Sequence, residues 1–209
     1  GVDVVEETGS TNADLLARAA AGEDIAGAVL LAEYQTAGRG RHDRQWSAPP
    51  RAQVAMSVGV DTTGIPTDTW GWLPLLTGVA AVETLREYVD AGLKWPNDVM
   101  VGTGKLGGVL SEVANAGVVV VGIGINVSMT ADELPDPRAT SLELLGATVD
   151  RTELASNVLR ALASRVHHWR AASGADGDLV DDYKRYSLTL GTPVRAVHEG
   201  SVAFADHFR

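Results

Sequence analysis

Two valine-rich runs, Val109-Leu110-Ser111-Glu112-Val113 and Val118-Val119-Val120-Val121, flank the stretch Asn115-Ala116-Gly117. β-branched residues fit a pleated surface, and Asn and Gly accept the dihedrals of a tight reversal. The spacing predicts an antiparallel hairpin. Upstream, Val54, Met56, Val58 and Val60 alternate with Ala55, Ser57 and Gly59, the two-residue period of a strand. Val29–Tyr34 reads as a buried strand. A chain with this much strand in its middle must cover a sheet with its helices.

The helices follow from caps and apolar spacing. Thr11-Asn12-Ala13-Asp14 predicts a helix start with Thr11 as cap; Leu15, Leu16 and Ala19 follow at helical intervals, and Gly22 ends the run. Trp72, Leu76, Val79, Ala80 and Leu85 predict a second helix, with Pro74 tolerable near its first turn. Asp150 and Glu153 resemble a capping box ahead of the stripe Leu154, Val158, Leu162, Val166 and Trp169. A further helix is expected over Leu179–Tyr186. Leu93–Val101 reads as a strand interrupted by a Pro96-Asn97-Asp98 turn. Gly191 starts a final strand through Val197, whereas Val197–Arg209 does not read as two paired strands. The expected fold is α/β of the α+β type: a mixed β-sheet flanked by helices over 1–190, with a small appendage over 191–209.

Charge narrows the function. The chain carries 27 acidic residues and a net charge of −10, yet places Arg39, Arg41 and Arg44 within Gln35-Thr36-Ala37-Gly38-Arg39-Gly40-Arg41-His42-Asp43-Arg44. Arginines this close repel one another unless an anion joins them, and guanidinium groups clamp carboxylates and phosphates bidentately. Gly38 and Gly40 let the backbone approach a ligand, and Trp46 can stack on a flat ring or an arginine. The overall acidity argues against nucleic acid as the main partner. The absence of cysteine excludes disulfides and thiolate chemistry. No apolar run approaches the roughly 20 residues of a membrane span, and no leader segment is visible, so a cytoplasmic protein without membrane contact is expected.

Other segments could carry chemistry or only structure. Lys94 in Lys94-Trp95-Pro96-Asn97-Asp98 could contact a phosphate, and Asp98 could help hold Mg²⁺; Asn97 and Asp98 are also ordinary turn residues. Gly102-Thr103-Gly104-Lys105-Leu106-Gly107-Gly108 fails the P-loop pattern, because Leu106 replaces the hydroxyl residue. It reads as a hairpin turn with an exposed lysine, or it offers Lys105 as a point charge against developing negative charge. Gly122-Ile123-Gly124-Ile125-Asn126 lacks the third glycine of a dinucleotide fingerprint, Val127 standing in its place. Ser10-Thr11-Asn12 is a helix cap that could also receive a ligand oxygen. His167-His168 is a poor metal pair, since neighbours on a helix diverge by about 100°.

In order, Ser10-Thr11-Asn12, Gln35 with Gly38-Arg39-Gly40-Arg41, Lys94-Trp95-Pro96-Asn97-Asp98, Lys105-Leu106-Gly107-Gly108-Val109-Leu110-Ser111-Glu112 and Gly122-Ile123-Gly124-Ile125-Asn126-Val127 closely resemble the motifs of biotin protein ligases. The resemblance implies a class II synthetase-like catalytic domain and a two-step reaction. Biotin and ATP, with Mg²⁺, give biotinyl-5′-AMP; the biotinyl group then passes to a lysine of a biotin carboxyl carrier domain of an acyl-CoA carboxylase. It implies biotin contacts from Ser10, Thr11, Asn12, Gln35, Gly38, Arg39, Gly40, Arg41, Lys105, Gly108, Gly122 and Ile125. ATP or adenylate contacts would come from Arg41, Trp46, Lys94, Asn97 and Asn126, with Asp98 on the metal side. Lys105, Arg39 and Arg41 would be catalytic, on a loop mobile without ligand and ordered with it.

His42-Asp43-Arg44 departs from the family's usual Arg-Gly-Arg. Residues 191–209 would be an incomplete C-terminal SH3-like domain. The chain starts at the catalytic motifs, so no repressor activity is expected, and the protein is expected to be a monomer or weak homodimer. A lipoate or octanoyl ligase or transferase of the same fold, and a biotin-binding sensor without chemistry, are the alternatives.

Overall fold

The computed structural model describes the backbone of residues 1–198 and 201–205 and the side chains through Pro193. Seven strands form one sheet: β1 (Val2–Val5), β2 (Val29–Ala32), β3 (Gln53–Asp61), β4 (Ala91–Lys94), β5 (Asp98–Val101), β6 (Gly104–Asn115) and β7 (Val118–Asn126). Their order is β1-β2-β3-β7-β6-β5-β4. β1 and β2 run parallel, joined by a crossover through helix α1 (Thr11–Ala20); every other neighbouring pair is antiparallel. The mixed sheet with flanking helices agrees with the fold class read from the sequence. β1 is outside the elements read there.

The predicted hairpin forms in the middle of the sheet. β6 and β7 pair from Gly107↔Ile125 to Asn115↔Val118, around the expected turn. Leu93–Val101 is not one interrupted strand. Its two halves reverse direction at Trp95-Pro96-Asn97 and pair with each other, Lys94 opposite Asp98. Pro96 has no amide hydrogen to give a ladder, which favours a turn there over a continuous strand.

Alternation along β7 divides the molecule. Val119, Val121, Ile123 and Ile125 join Val54, Met56 and Val60 on one face. That face is covered by α2 (Trp72–Leu85), α3 (Arg151–Ala171) and α4 (Gly177–Tyr186). In α3, Leu154, Val158, Leu162 and Trp169 of the predicted stripe are buried, and Asp150 caps the helix by accepting from the Glu153 amide. Val118 and Val120 point the other way and pack with Leu15 of α1, Ile25 and Leu30. Beyond them on this second face come Gly122 and Gly124, so the surface drops from valine side chains to bare backbone.

The cap of α1 is Ser10, not Thr11. The Ser10 backbone is extended, and its hydroxyl accepts from the Ala13 amide. Thr11 is the first helical residue, which turns its side chain toward the sheet.

Gly191 has φ of +73° and precedes two short antiparallel strands, β8 (Val194–His198) and β9 (Ser201–Ala205). Val197 and His198 therefore do pair, with Val202 and Ser201, contrary to the sequence reading; each strand is only five residues long, short enough to escape a pattern count. These strands form a separate two-stranded sheet. Residues 206–209 of the predicted appendage lie outside the described residues.

Leu154 is fully buried between α3 and the sheet. Leu154→Ala should lower unfolding stability by about 2–5 kcal/mol, read from the midpoint of urea denaturation at unchanged slope.

Candidate active site

The bare end of the second face is the floor of a cavity of about 710 Å³. One wall is the first turn of α1, another the 38–47 loop after β2, and the far wall the β4–β5 turn with the start of β6. Predicted residues Ser10, Thr11, Asn12, Gln35, Arg39, Gly40, Arg41, Trp46, Lys94, Asn97, Asp98, Lys105, Gly108, Gly122 and Asn126 all line it. Two do not. Ile125 is fully buried on the opposite face with the α2 and α3 core, because its parity on β7 is that of Ile123 and Val121; Gly124 lines the cavity instead. Gly38 lies behind the loop. A Cβ there would stand 2.3 Å from the Trp46 carbonyl oxygen, so its glycine serves close packing rather than ligand contact.

At the α1 end a chain of hydrogen bonds has a fixed direction. The Ser57 hydroxyl donates to Asn12 Oδ1 at 2.5 Å, and it is also 2.6 Å from the Thr11 hydroxyl. Ser57 has one proton, so Thr11 is the donor of the 2.6 Å contact, the closer of its two acceptors; Gln35 Oε1 lies 3.2 Å from the same hydroxyl. Gln35 Oε1 accepts from the Thr11 amide at 2.9 Å. Asn12 Nδ2 then donates to Leu110 O at 3.3 Å and to Glu112 Oε2 at 3.0 Å. All three hydrogen-bonding groups of the Asn12 amide are thus engaged within the protein, and Asn12 braces the wall more than it offers a contact. The groups left over are the Ser10 hydroxyl proton and Gln35 Nε2, both donors.

The arginine loop is a small hairpin. Arg39 and Gln45 form a bridge, Gly40 N–H donates to Arg44 O at 2.7 Å, and Arg44 N–H donates to Arg41 O at 3.2 Å. His42 and Asp43, at the two central positions of the turn, have φ of +54° and +57°. Positive φ at both is what a type I′ reversal requires, and Asp and His tolerate it better than most side chains. Past the hairpin, Trp46 lies flat on the floor, so close that a Cβ on Gly124 would come within 2.5 Å of its ring. Its indole N–H donates to Gln53 Oε1 at 2.5 Å.

Charge is unevenly compensated around the cavity. Arg39 pairs with Glu112 at 2.6 Å, and Lys105 with Asp98 at 2.7 Å. Lys105 Nζ also lies 5.6 Å from the Trp46 ring centroid. Arg138 pairs with Asp136, holding that carboxyl well below the usual carboxylate range. Arg41, Arg44 and Lys94 have no acidic partner among the described residues. Apart from Arg160 and Lys184, on α3 and α4, they are the described cations left without one. Asn97 donates to Val109 O at 3.0 Å, so it also stitches the β4–β5 turn to β6. Asn126 is 2 % exposed; its amide donates to Thr140 O at 3.0 Å while Oδ1 has no partner.

Ser57, Glu112, Gly124 and Gln53 were not picked out from the sequence as site residues. Parity could have found three of them: Gly108, Leu110 and Glu112 share a face, as do Ser57, Gly122 and Gly124 across the β3–β7 ladder. Gln53 gives no such signal.

The motif-bearing segment, residues 6–129, matches the model of the biotin/lipoate A/B protein ligase family. The chain belongs to this family. It is 51% identical over 200 residues to a biotin–[acetyl-CoA-carboxylase] ligase of Mycobacterium tuberculosis, covering 93% of this chain and 73% of that protein. It is 32% identical over 180 residues to the bifunctional ligase/repressor BirA of Bacillus subtilis, covering 81% of this chain and 54% of that one. The chain thus spans about half the length of that second relative. Among solved structures, a biotin protein ligase from Aquifex aeolicus in complex with biotin and ATP superposes with a TM-score of 0.83 at 28% identity, covering 99% of this chain and 86% of the other. No helix among the described residues is long and apolar enough to cross a membrane.

A Cβ on Gly122 would lie 2.1 Å from Asn12 Oδ1. Gly122→Ala should therefore displace the Asn12 amide and destabilise the fold by about 1–3 kcal/mol, seen as a lower denaturation midpoint and, in a crystal structure, a broken Asn12–Ser57 bond.

Proposed function

We propose that the chain activates biotin with ATP to biotinyl-5′-AMP and then transfers the biotinyl group to a lysine of a biotin carboxyl carrier domain of an acyl-CoA carboxylase. The observation that carries this reading is the pairing of two unlike ends in one cavity. A neutral donor pocket at Ser10 and Gln35 faces a bank of uncompensated cations at Arg41, Arg44 and Lys94. Biotin has a neutral ureido head and an anionic tail, and ATP brings a polyanion to that tail. The relatives' names and the Aquifex aeolicus complex support the same ligands.

The reaction needs two mutually repelling anions brought together. Ser10 and Gln35 offer their free donors to the ureido carbonyl oxygen. The Thr11–Ser57–Asn12 chain fixes the wall behind that head. The tail carboxylate then lies toward Lys105, whose ammonium Asp98 holds at the cavity. Lys105 offsets the charge of the carboxylate and of the α-phosphate together, so that repulsion falls as the two approach. A carboxylate oxygen attacks the α-phosphorus, and the bond to the bridging oxygen breaks with departure of pyrophosphate. Arg41, Arg44 and Lys94 balance the charge that gathers on the leaving group. The base of the nucleotide would stack on Trp46 beside Asn126, whose unmatched Oδ1 is an acceptor for an exocyclic amine. In the second step the carrier lysine's neutral amine attacks the acyl carbon, AMP leaves with the electrons of the C–O bond, and the nitrogen releases a proton to solvent.

The residues present fit Mg²⁺ only as a companion of the phosphates. No group of three metal-ligating side chains occurs among the described residues. Asp98 keeps one carboxylate oxygen, Oδ2, without a protein partner, which suffices for an ion whose other ligands are phosphate and water. There it would neutralise phosphate charge. Residues 1–190 would form the catalytic unit and the β8–β9 segment the start of a small SH3-like one.

Biotin added to the protein with ATP should release pyrophosphate, and lipoate should not. Preference for lipoate would assign the chain to the other branch of the family, and biotin binding without pyrophosphate release would make it a sensor. Lys105→Ala should slow adenylate formation about 10²–10³-fold with biotin affinity less affected; near-normal turnover would remove Lys105 from the mechanism.

A further inference from the structure

We propose that Glu112 is a positioning residue that couples the arginine hairpin to the head-group pocket, so that occupancy of the pocket holds the hairpin closed. This rests on the functional reading above. Glu112 stands on β6 opposite Val120, on the cavity face of the sheet. Its two carboxylate oxygens go to different walls. Oε1 accepts from Arg39 of the hairpin at 2.6 Å, and Oε2 accepts from Asn12 of α1 at 3.0 Å. Through Asn12 the path continues to Ser57, Thr11 and Gln35 without a gap. No other described side chain joins a hairpin arginine to the pocket wall.

The energetics make this link conditional. The Arg39 side chain is 46% exposed and that of Glu112 20%. An ion pair so open to water contributes little by itself, which leaves the hairpin weakly tethered. A ligand seated between the α1 wall and the hairpin removes water from the pair and fixes Asn12. The same charges then interact in a medium of lower dielectric, and the bond strengthens. Binding energy at the neutral head is thereby converted into closure of the charged lid over the acyl phosphate. A neutral amide at this position can still accept one hydrogen bond from the guanidinium but brings no opposing charge, so it removes the ionic part of the link.

Trypsin reads the hairpin directly, since it cuts after accessible arginines: Arg39 and Arg44 are exposed and Arg41 is half-buried. Calorimetry on the unaltered protein comes first. Failure to bind biotin there defeats the functional reading rather than this inference. Given binding, saturating biotin should slow tryptic cleavage in the loop about tenfold or more. In Glu112→Gln, which keeps an oxygen for Asn12, biotin should still bind within about fivefold of the unaltered affinity, yet protection should fall to about twofold or less. Arg39→Gln breaks the link from the other side and leaves Arg41 and Arg44 cleavable; compared at a biotin concentration that saturates that variant, its protection should also fall to about twofold or less, which decides the matter should Glu112→Gln fail to fold. The double variant should lose no more protection than either single one. Full biotin protection in Glu112→Gln overturns the inference. So does joint loss of biotin binding and protection, which would make Glu112 a support for the pocket alone.

Discussion

The approach of the first turn of α1 to β7 at Gly122 is the contact on which the site depends. Only a strand without a side chain at that point lets the Asn12 amide lie against the sheet, and only there can Ser57 of β3 reach it. The same contact sets the cavity's depth. One valine further back, at Val120, the helix and sheet meet through Leu15 and the space closes. Sheet parity therefore does two jobs along one strand, building a core on one side and, after a change from valine to glycine, a ligand floor on the other.

Charge is arranged with equal economy. An acidic chain could have neutralised every arginine, and most of its described cations are paired. Of the exceptions, Arg41, Arg44 and Lys94 line the cavity, while Arg160 and Lys184 lie on α3 and α4. Lys105 occupies an intermediate state: Asp98 holds it in place without burying it, so the ammonium is oriented before any substrate arrives. A cation held this way requires little reorganisation when an anion approaches it.

Much of this was legible in the chain. The β6–β7 hairpin, α2 and α3 followed from period and capping, since valine alternation and an Asp150–Glu153 start leave few alternatives. The cavity's membership followed from motif order. The errors have a common physical origin. Ile125 was placed on the ligand side by the family resemblance alone, whereas strand alternation sends it to the core. Thr11 was taken as the cap, although Ser10 is equally able and one residue earlier. The turn inside Leu93–Val101 is legible from Pro96-Asn97-Asp98, but the antiparallel pairing of the two halves is not, because each strand is only four residues long. The bonds of Ser57, Glu112 and Gln53 arise between strands and helices distant in sequence, and no local pattern encodes such partners.

The reversal at His42 and Asp43 has a thermodynamic consequence for substrate capture. A loop turning on glycine samples many shapes when empty and must surrender them all on closing. Side chains at these left-handed positions thin out the open ensemble, so less disorder is lost when the flap shuts. The gain falls on retention: an anion bound beneath the hairpin is held there longer.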